Sequence, residues 1–287
     1  MVRLGHLGPA GTFTEEAARA AATPAGAELV PYPTVADTVE AVLAGEVDAV
    51  LVPIENSLEG SVTTTVDALS AEPRLHMVGE TVLAIRHCLI AREPTELARI
   101  EAVLSHPQAL AQCTRFLRER LPAARLVPTG STAEGVQALA AEPPTSAAIA
   151  SRIAARVHGG VIVCDGIEDD PGNATRFAWL AADDAAAFPA PDGSEQWKTS
   201  ILFAGADDAR PGWLVRCLSE LASRGVNLVK IESRPARSRL GHYLFLADCE
   251  GRSDDAAVAE ALEGLRAHCD QLRVLGTYPA APAPSVS

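Results

Sequence analysis

At 287 residues, 48% of them hydrophobic, the chain is long enough for two compact units with cores of their own. Its formal net charge of −13 repels phosphate backbones and supplies no counterion-release term, and with no basic stripe along the chain it argues against a nucleic-acid partner. The opening residues show no charged leader followed by an apolar stretch, and no segment offers about 20 uninterrupted apolar residues, so a soluble, cytoplasmic protein with no membrane partner is expected.

In chain order, residues 4–7, 28–32 and 49–54 read as strands, with helices over 14–22 and 35–43 between them. The run 76–91 is too long for one strand. It is expected to carry the chain from one sheet into a second, giving two lobes with a cleft between them. Residues 103–104, 125–127, 147–149 and 161–164 then read as strands, and 107–121 and 133–140 as helices. Such alternation predicts largely parallel sheets with helices on their faces. Residues 183–196 are rich in alanine, proline, aspartate and glycine without apolar periodicity, the pattern of a linker. Beyond them, strands at 199–203, 226–233, 241–249 and 271–278 and helices at 211–223 and 254–267 fall in the order βαββαβ, a ferredoxin-like arrangement. The expected domains are therefore 1–184, with a second lobe over roughly 78–162, a linker at 185–197, a smaller domain at 198–279 and a mobile tail at 280–287. The six cysteines (Cys88, Cys113, Cys164, Cys217, Cys249 and Cys269) stand singly and read as reduced small hydrophobes, not as metal ligands.

Polar groups gather where helices begin. Gly8-Pro9-Ala10-Gly11-Thr12-Phe13-Thr14-Glu15 follows a strand and opens a helix, with Thr12 and Glu15 spaced as a capping box. Free N–H groups and the positive end of a helix dipole suit a small carboxylate there, the alternative being a helix cap and nothing more. Ser105-His106-Pro107-Gln108 repeats the device with Ser105 as N-cap, and Gln112 lies one turn beyond Gln108 on the same face. His106 reads as a hydrogen-bonded structural group. A third box, Ser131-Thr132-Ala133-Glu134, is weak support for binding. Glu55-Asn56-Ser57 ends an apolar run with an acid, an amide and a hydroxyl, costly groups to bury without a ligand, although a solvated loop would also hold them. Asn173-Ala174-Thr175-Arg176-Phe177 sets a hydroxyl beside a permanent cation. Taken singly, a turn hydrogen bond and a surface ion pair explain it. Together these motifs contain no metal set, no cofactor fingerprint and no activated nucleophile. They point to a small polyanion handled without cofactor or metal, by orientation, hydrogen bonding and weak proton donation.

Gly8-Pro9-Ala10-Gly11-Thr12-Phe13, Pro53-Ile54-Glu55-Asn56-Ser57, Ser105-His106-Pro107-Gln108-Ala109 with Gln112-Cys113, and Asn173-Ala174-Thr175-Arg176-Phe177 resemble, in that order, the signature segments of prephenate dehydratases. Glu232-Ser233-Arg234-Pro235 resembles the phenylalanine-binding motif of that family's ACT regulatory domain. The resemblance reaches Tyr278-Pro279. It implies an α/β fold, with a two-lobed catalytic domain like the periplasmic binding proteins followed by a ferredoxin-like ACT domain, assembled as a homodimer or homotetramer. It also implies the reaction, prephenate to phenylpyruvate, carbon dioxide and water in phenylalanine biosynthesis. On this reading Thr175 is the candidate donor to the leaving hydroxyl. Arg176 either clamps a carboxylate or braces the loop through an ion pair, and Glu55 either joins a proton relay or caps the loop. Thr12, Asn56, Ser57, Ser105, Gln108, Gln112, Asn173 and Phe177 form the expected substrate wall. Phenylalanine is expected near Gly212, Leu214, Val215, Glu232, Ser233, Arg234 and Pro235, between ACT domains of neighbouring subunits. The family's Gly-Ala-Leu-Val reads Gly212-Trp213-Leu214-Val215 here, and Trp213 is expected either to fill part of the effector pocket or to thicken the dimer interface. Two other readings remain: arogenate dehydratase, and a non-catalytic metabolite sensor.

Overall fold

Residues 49–52 are apolar without a break, and the strand they begin lies at the centre of the first sheet, with Val50, Leu51, Val52 and Ile54 fully buried. The computed structural model describes residues 1–21, 26–182, 196–205, 210–236 and 242–282. The first lobe comprises β1 (Arg3–Leu7), α1 (Phe13–Ala20), β2 (Glu28–Tyr32), α2 (Val35–Leu43), β3 (Ala49–Asn56), β4 (Gly60–Ser61), α3 (Thr63–Ala71) and β5 (Leu75–Ala84). The second comprises β6 (Cys88–Ala91), β7 (Ala102–Ser105), α4 (Pro107–Gln112), α5 (Thr114–Arg120), β8 (Arg125–Pro128), α6 (Thr132–Ala138), β9 (Ser146–Ala150), α7 (Arg152–His158) and β10 (Val161–Asp165). The chain then returns to the first sheet as β11 (Ala174–Ala182).

The sheet orders are β2-β1-β3-β11-β5, with β4 on β3, and β10-β6-β9-β7-β8. Both are mixed, not largely parallel: β11 runs antiparallel to β3 and β5, and β6 antiparallel to β10 and β9. The antiparallel strands are those at the two crossings between lobes, where no helix intervenes to turn the chain back. The long apolar run does pass from the first sheet to the second, breaking at 85–87. Because β5 belongs to the first sheet, the second lobe starts at Cys88, ten residues later than the expected 78.

Three helical segments differ from expectation, among them α7, which falls where the sequence pattern predicts no helix. The predicted helix over 107–121 breaks at Cys113, where Asp169 accepts from the Arg115 amide at 3.0 Å and its own N–H donates to the Gln112 carbonyl at 2.7 Å. Residues 63–71, where no element is expected above, form α3, which buries Val66 and Leu69 and donates from Thr65 Oγ1 to the Pro53 carbonyl. No helix among the described residues is long and apolar enough to cross a membrane.

The third unit is β12 (Trp197–Ala204), α8 (Trp213–Ala222), β13 (Leu228–Pro235), β14 (Tyr243–Glu250), α9 (Ala256–Arg266) and β15 (Gln271–Pro279), an antiparallel sheet of order β13-β14-β12-β15. Its helices cover one face, and its other face packs on the first lobe. There Leu202, Leu246, Leu275 and Tyr278 join Val50, Val52, Ile54, Met77, Ala178 and Leu180 in one core. The linker expected at 185–197 lies outside the described residues except for its last two, and Trp197 already belongs to β12. Of the expected tail, 283–287 also lie outside them. Residues 280 and 281 are half-buried, with the Ala280 amide on the Gln196 carbonyl at 2.9 Å and the Ala281 amide on Glu80 at 2.8 Å, so this start of the tail is anchored.

The sheets of the first lobe and the third unit come close at Gly276, where a Cβ would overlap the carbonyl oxygen of Met77. Gly276→Ala must push β15 off β5, and overpacking of this kind costs about 1–3 kcal/mol. A thermal melt is expected to shift down by several degrees, and an unchanged melting temperature would show that the domains separate without strain.

Candidate active site

Between the two sheets lies a cleft of about 430 Å³. The first lobe contributes Gly8, Thr12, Phe13, Pro53, Asn56, Thr175 and Phe177, and the second His106, Gln108, Gln112, Gly130, Ser131 and Thr132. Three helix starts therefore meet there. Thr12 caps α1, accepting from the Glu15 amide at 3.4 Å, while Glu15 returns to the amide of Gly11, one residue earlier than the usual box. Gly11 has φ of +86° and sits against His158 and Ala154 of α7, a place where a side chain would clash. Ser131 caps α6 and lines the cleft, a larger part than its motif alone suggested.

The cap of α4 is His106, not Ser105: His106 Nδ1 accepts from the Gln108 amide at 3.3 Å, which leaves Nε2 to carry the hydrogen. Ser105 is fully buried and donates to the Ile149 carbonyl at 2.6 Å, so its hydroxyl ties β7 to β9 and does not line the cleft. Ser57 is likewise outside the wall, its Oγ accepting from the Ala174 amide at 3.0 Å.

A β-bulge orders the rest. β3 and β11 pair Thr175 with Asn56 and Arg176 with Glu55, but Phe177 with Pro53, so Ile54 is the extra residue. The bulge reverses the side-chain alternation of β3, and Asn56 thereby comes to the cleft face beside Thr175. Glu55 goes to the opposite face beside Arg176.

On the cleft face one hydrogen-bond chain fixes the amides of Asn56, Asn173 and Gln112. Asn56 Oδ1 accepts from the Leu58 and Glu59 amides at 3.0 and 3.1 Å, so its Nδ2 must be the group that donates to Thr175 Oγ1 and Asn173 Oδ1, each at 2.9 Å. Asn173 Nδ2 then donates to Gln112 Oε1 at 3.1 Å, and His87 Nε2 donates to the same oxygen at 3.0 Å. Gln112 is left with its amide hydrogens for the cleft, and Thr175 with its own hydroxyl hydrogen. Asn173 supports this chain from behind the wall.

His87 is the wall residue that sequence reasoning missed. It is 2% exposed, meets Phe13 edge to face at 5.3 Å, and its pKa is lowered by burial, so the ring is a neutral donor through Nε2. The signal available was its place at the break of the 76–91 run, where the chain changes sheets.

Arg176 and Glu55 are corrected from the expected catalytic set, since neither lines the cleft. Arg176 points to the third unit: Nε meets Glu80 at 2.6 Å, Nη1 Asp248 at 2.5 Å and Glu55 at 3.5 Å, and Nη2 the Tyr278 hydroxyl at 2.8 Å. Burial pulls its pKa down, but Tyr278, Asp248 and Glu80 outweigh that and keep it fully charged. Glu55 also pairs with Lys230 at 3.2 Å. Of the two readings of Arg176, the brace is the one this geometry supports.

The expected effector residues divide between two faces. Gly212 opens α8, Leu214 is partly buried and Val215 is 66% exposed. Trp213 packs inside the unit that carries it. It is 3% exposed in the unit's own core against Phe203 and Phe245, and its Nε1 donates to the His268 carbonyl at 2.6 Å. On β13, Ser233 and Pro235 are exposed, whereas Glu232 and Arg234 turn toward the first lobe, Arg234 pairing with Asp67 of α3 at 2.9 Å.

Comparison with known proteins agrees with this architecture. The prephenate dehydratase family model matches residues 4–185 and the ACT domain model residues 200–267. A prephenate dehydratase of Amycolatopsis methanolica is 38% identical over 97% of this chain and 88% of its own length. Among solved structures, the Arthrobacter aurescens prephenate dehydratase in complex with L-Phe superimposes with a TM-score of 0.88 at 39% identity, covering 100% of this chain and 93% of that one. A protein described as GqqA, a novel type of quorum quenching acylase, superimposes with a TM-score of 0.86 at 30% identity, covering 98% of both chains. The chain belongs to the prephenate dehydratase family, with a C-terminal ACT domain.

Proposed function

We propose that the cleft binds prephenate and converts it to phenylpyruvate, carbon dioxide and water, with Thr175 donating to the departing hydroxyl. The observation that carries this is the hydrogen bond at Thr175. Among the described residues the partner of its Oγ1 is a donor, Asn56 Nδ2, so the hydroxyl has no base to take its proton and keeps its hydrogen for a ligand. That arrangement suits donation to a leaving oxygen. It does not suit nucleophilic attack, which needs an adjacent base, and so favours dehydration over acyl transfer.

The reaction asks little else of the protein. The ring carboxylate leaves as carbon dioxide, its electron pair enters the ring, the C4–O bond breaks and the oxygen departs as water once protonated. Aromatisation supplies the driving force. The described wall holds no lysine or arginine. Neutral donors such as Gln112 and the helix N–H groups orient the carboxylates without pinning the charge that has to move.

Phenylalanine regulation by a dimeric ACT pair extends the same reading. β13 is an unpaired sheet edge, and Val229, Ile231, Tyr243 and Val215 beside it are 43%, 42%, 44% and 66% exposed. A second copy of the chain covers this strip, and L-phenylalanine binds at the joint beside Ser233 and Gly212. The test follows phenylpyruvate absorbance with prephenate and with arogenate in parallel, and titrates L-phenylalanine into the same assay and into a thermal melt. Prephenate turnover is expected, with phenylalanine changing the rate and raising the melting point, by about 2.7 kcal/mol of stability at a hundred times its Kd. Turnover of arogenate alone, or of neither, overturns the assignment.

A further inference from the structure

The ladder step that carries Thr175 and Asn56 on its cleft face carries Arg176 and Glu55 on its rear face, and that rear face is gripped by the ACT domain. Asp248 on β14 and Tyr278 on β15 both reach Arg176. Ser200 on β12 bonds to both of them at 2.5 Å, which locks the pair to each other. Lys230 on β13 holds Glu55 and also Ser61 Oγ at 3.0 Å. Glu80 spans the joint, taking Arg176 and Lys198 at 2.6 and 2.8 Å. Every strand of the ACT sheet thus has a side chain on this cluster, directly or through one neighbour.

We propose that Asp248 and Tyr278 are positioning residues of the catalytic cleft: by fixing Arg176 from the ACT domain they set β11, and with it the hydroxyl of Thr175. The inference rests on the function proposed above. Consecutive residues of an extended strand point to opposite faces, so a shift of the Arg176 backbone moves Thr175 with it. The bulge opposite leaves this step without the next regular rung on β3, so on that side the side-chain anchoring adds to what the regular ladder with β5 supplies. The cluster also gives the ACT domain a route to the chemistry that requires no ligand contact with the cleft.

The variant Tyr278→Phe removes one hydrogen bond to Arg176 and one to Ser200 and keeps the buried ring, while Asp248→Asn keeps the shape and removes the charge. Two measurements are made on the full-length protein: kcat and KM for prephenate at a temperature well below the melt, and hydrogen exchange of the peptide spanning 174–178. Expected is a kcat about 10- to 100-fold lower with KM nearly unchanged, the effect of a misplaced donor, together with faster exchange in that peptide in both variants. Unchanged exchange there overturns the inference whatever the activity shows. Faster exchange with wild-type kcat also overturns it, because the cluster would then only staple the domains. If the wild-type protein does not turn over prephenate, the function assignment fails, and the exchange measurement alone decides whether Asp248 and Tyr278 set β11.

Discussion

Replacing Thr175 with valine is expected to lower kcat for prephenate by about 10²- to 10⁴-fold, the range that one positioned proton donor contributes. Valine keeps the β-branched shape that suits β11 and exchanges a hydroxyl for a methyl. Asn56 Nδ2 loses one acceptor and keeps Asn173 Oδ1 at 2.9 Å and the Ala174 carbonyl at 3.2 Å. The stability cost is therefore about 1 kcal/mol, a few degrees in a melt, and cannot account for a loss of activity measured well below it. Thr175→Ser retains the donor and is expected to stay within about tenfold of the native rate. Turnover in Thr175→Val close to that of the native enzyme would remove Thr175 from the chemistry and shift attention to His106 Nε2, another donor of the wall.

The pairing of Thr175 with Arg176 also marks how far sequence reading reaches. The two residues, their neighbours and the strand that follows were legible as a motif, and so were the alternation of strands and helices and the βαββαβ order of the second domain, because these depend on local pattern. Which residue of the pair faces the cleft was not legible. That depends on how β11 is seated in its sheet and on partners 72 and 102 residues distant in sequence, Asp248 and Tyr278, while the bulge at Ile54 decides the same question for Asn56 and Glu55. Ser105 shows the same limit: a serine before a helix is a good cap by pattern, but β9 offers its hydroxyl the Ile149 carbonyl, and His106 takes the cap. Trp213 shows it within a domain. Nothing local says that the space opposite Gly205, where a Cβ would strike the indole, belongs to the core of that same domain.

Replacing Arg176 with methionine is expected to destabilise the protein by about 3–5 kcal/mol, the cost of leaving buried charges without their partner. The side chains of Glu80 and Asp248 are fully buried, and Arg176 is 10% exposed. Methionine fills much of the volume, so the loss is electrostatic and not a cavity. Glu80 keeps Lys198 at 2.8 Å and the Ala281 amide at 2.8 Å, whereas Asp248 keeps the Ser200 hydroxyl. The larger share of the penalty therefore falls on Asp248. At about 2–4 °C per kcal/mol for a chain of this size, the melting temperature should drop by roughly 6–20 °C. The double variant Arg176→Met, Asp248→Asn removes the stranded charge and is expected to recover much of that drop, a non-additivity of contacting residues that a double-mutant cycle reads directly. A single variant that melts within two or three degrees of the native protein, or a double variant that melts lower still, would mean that the apolar joint of Val50, Leu202, Leu246 and Leu275 holds the ACT domain without help from the ion cluster. The brace assigned to Arg176 would then be incidental to the fold.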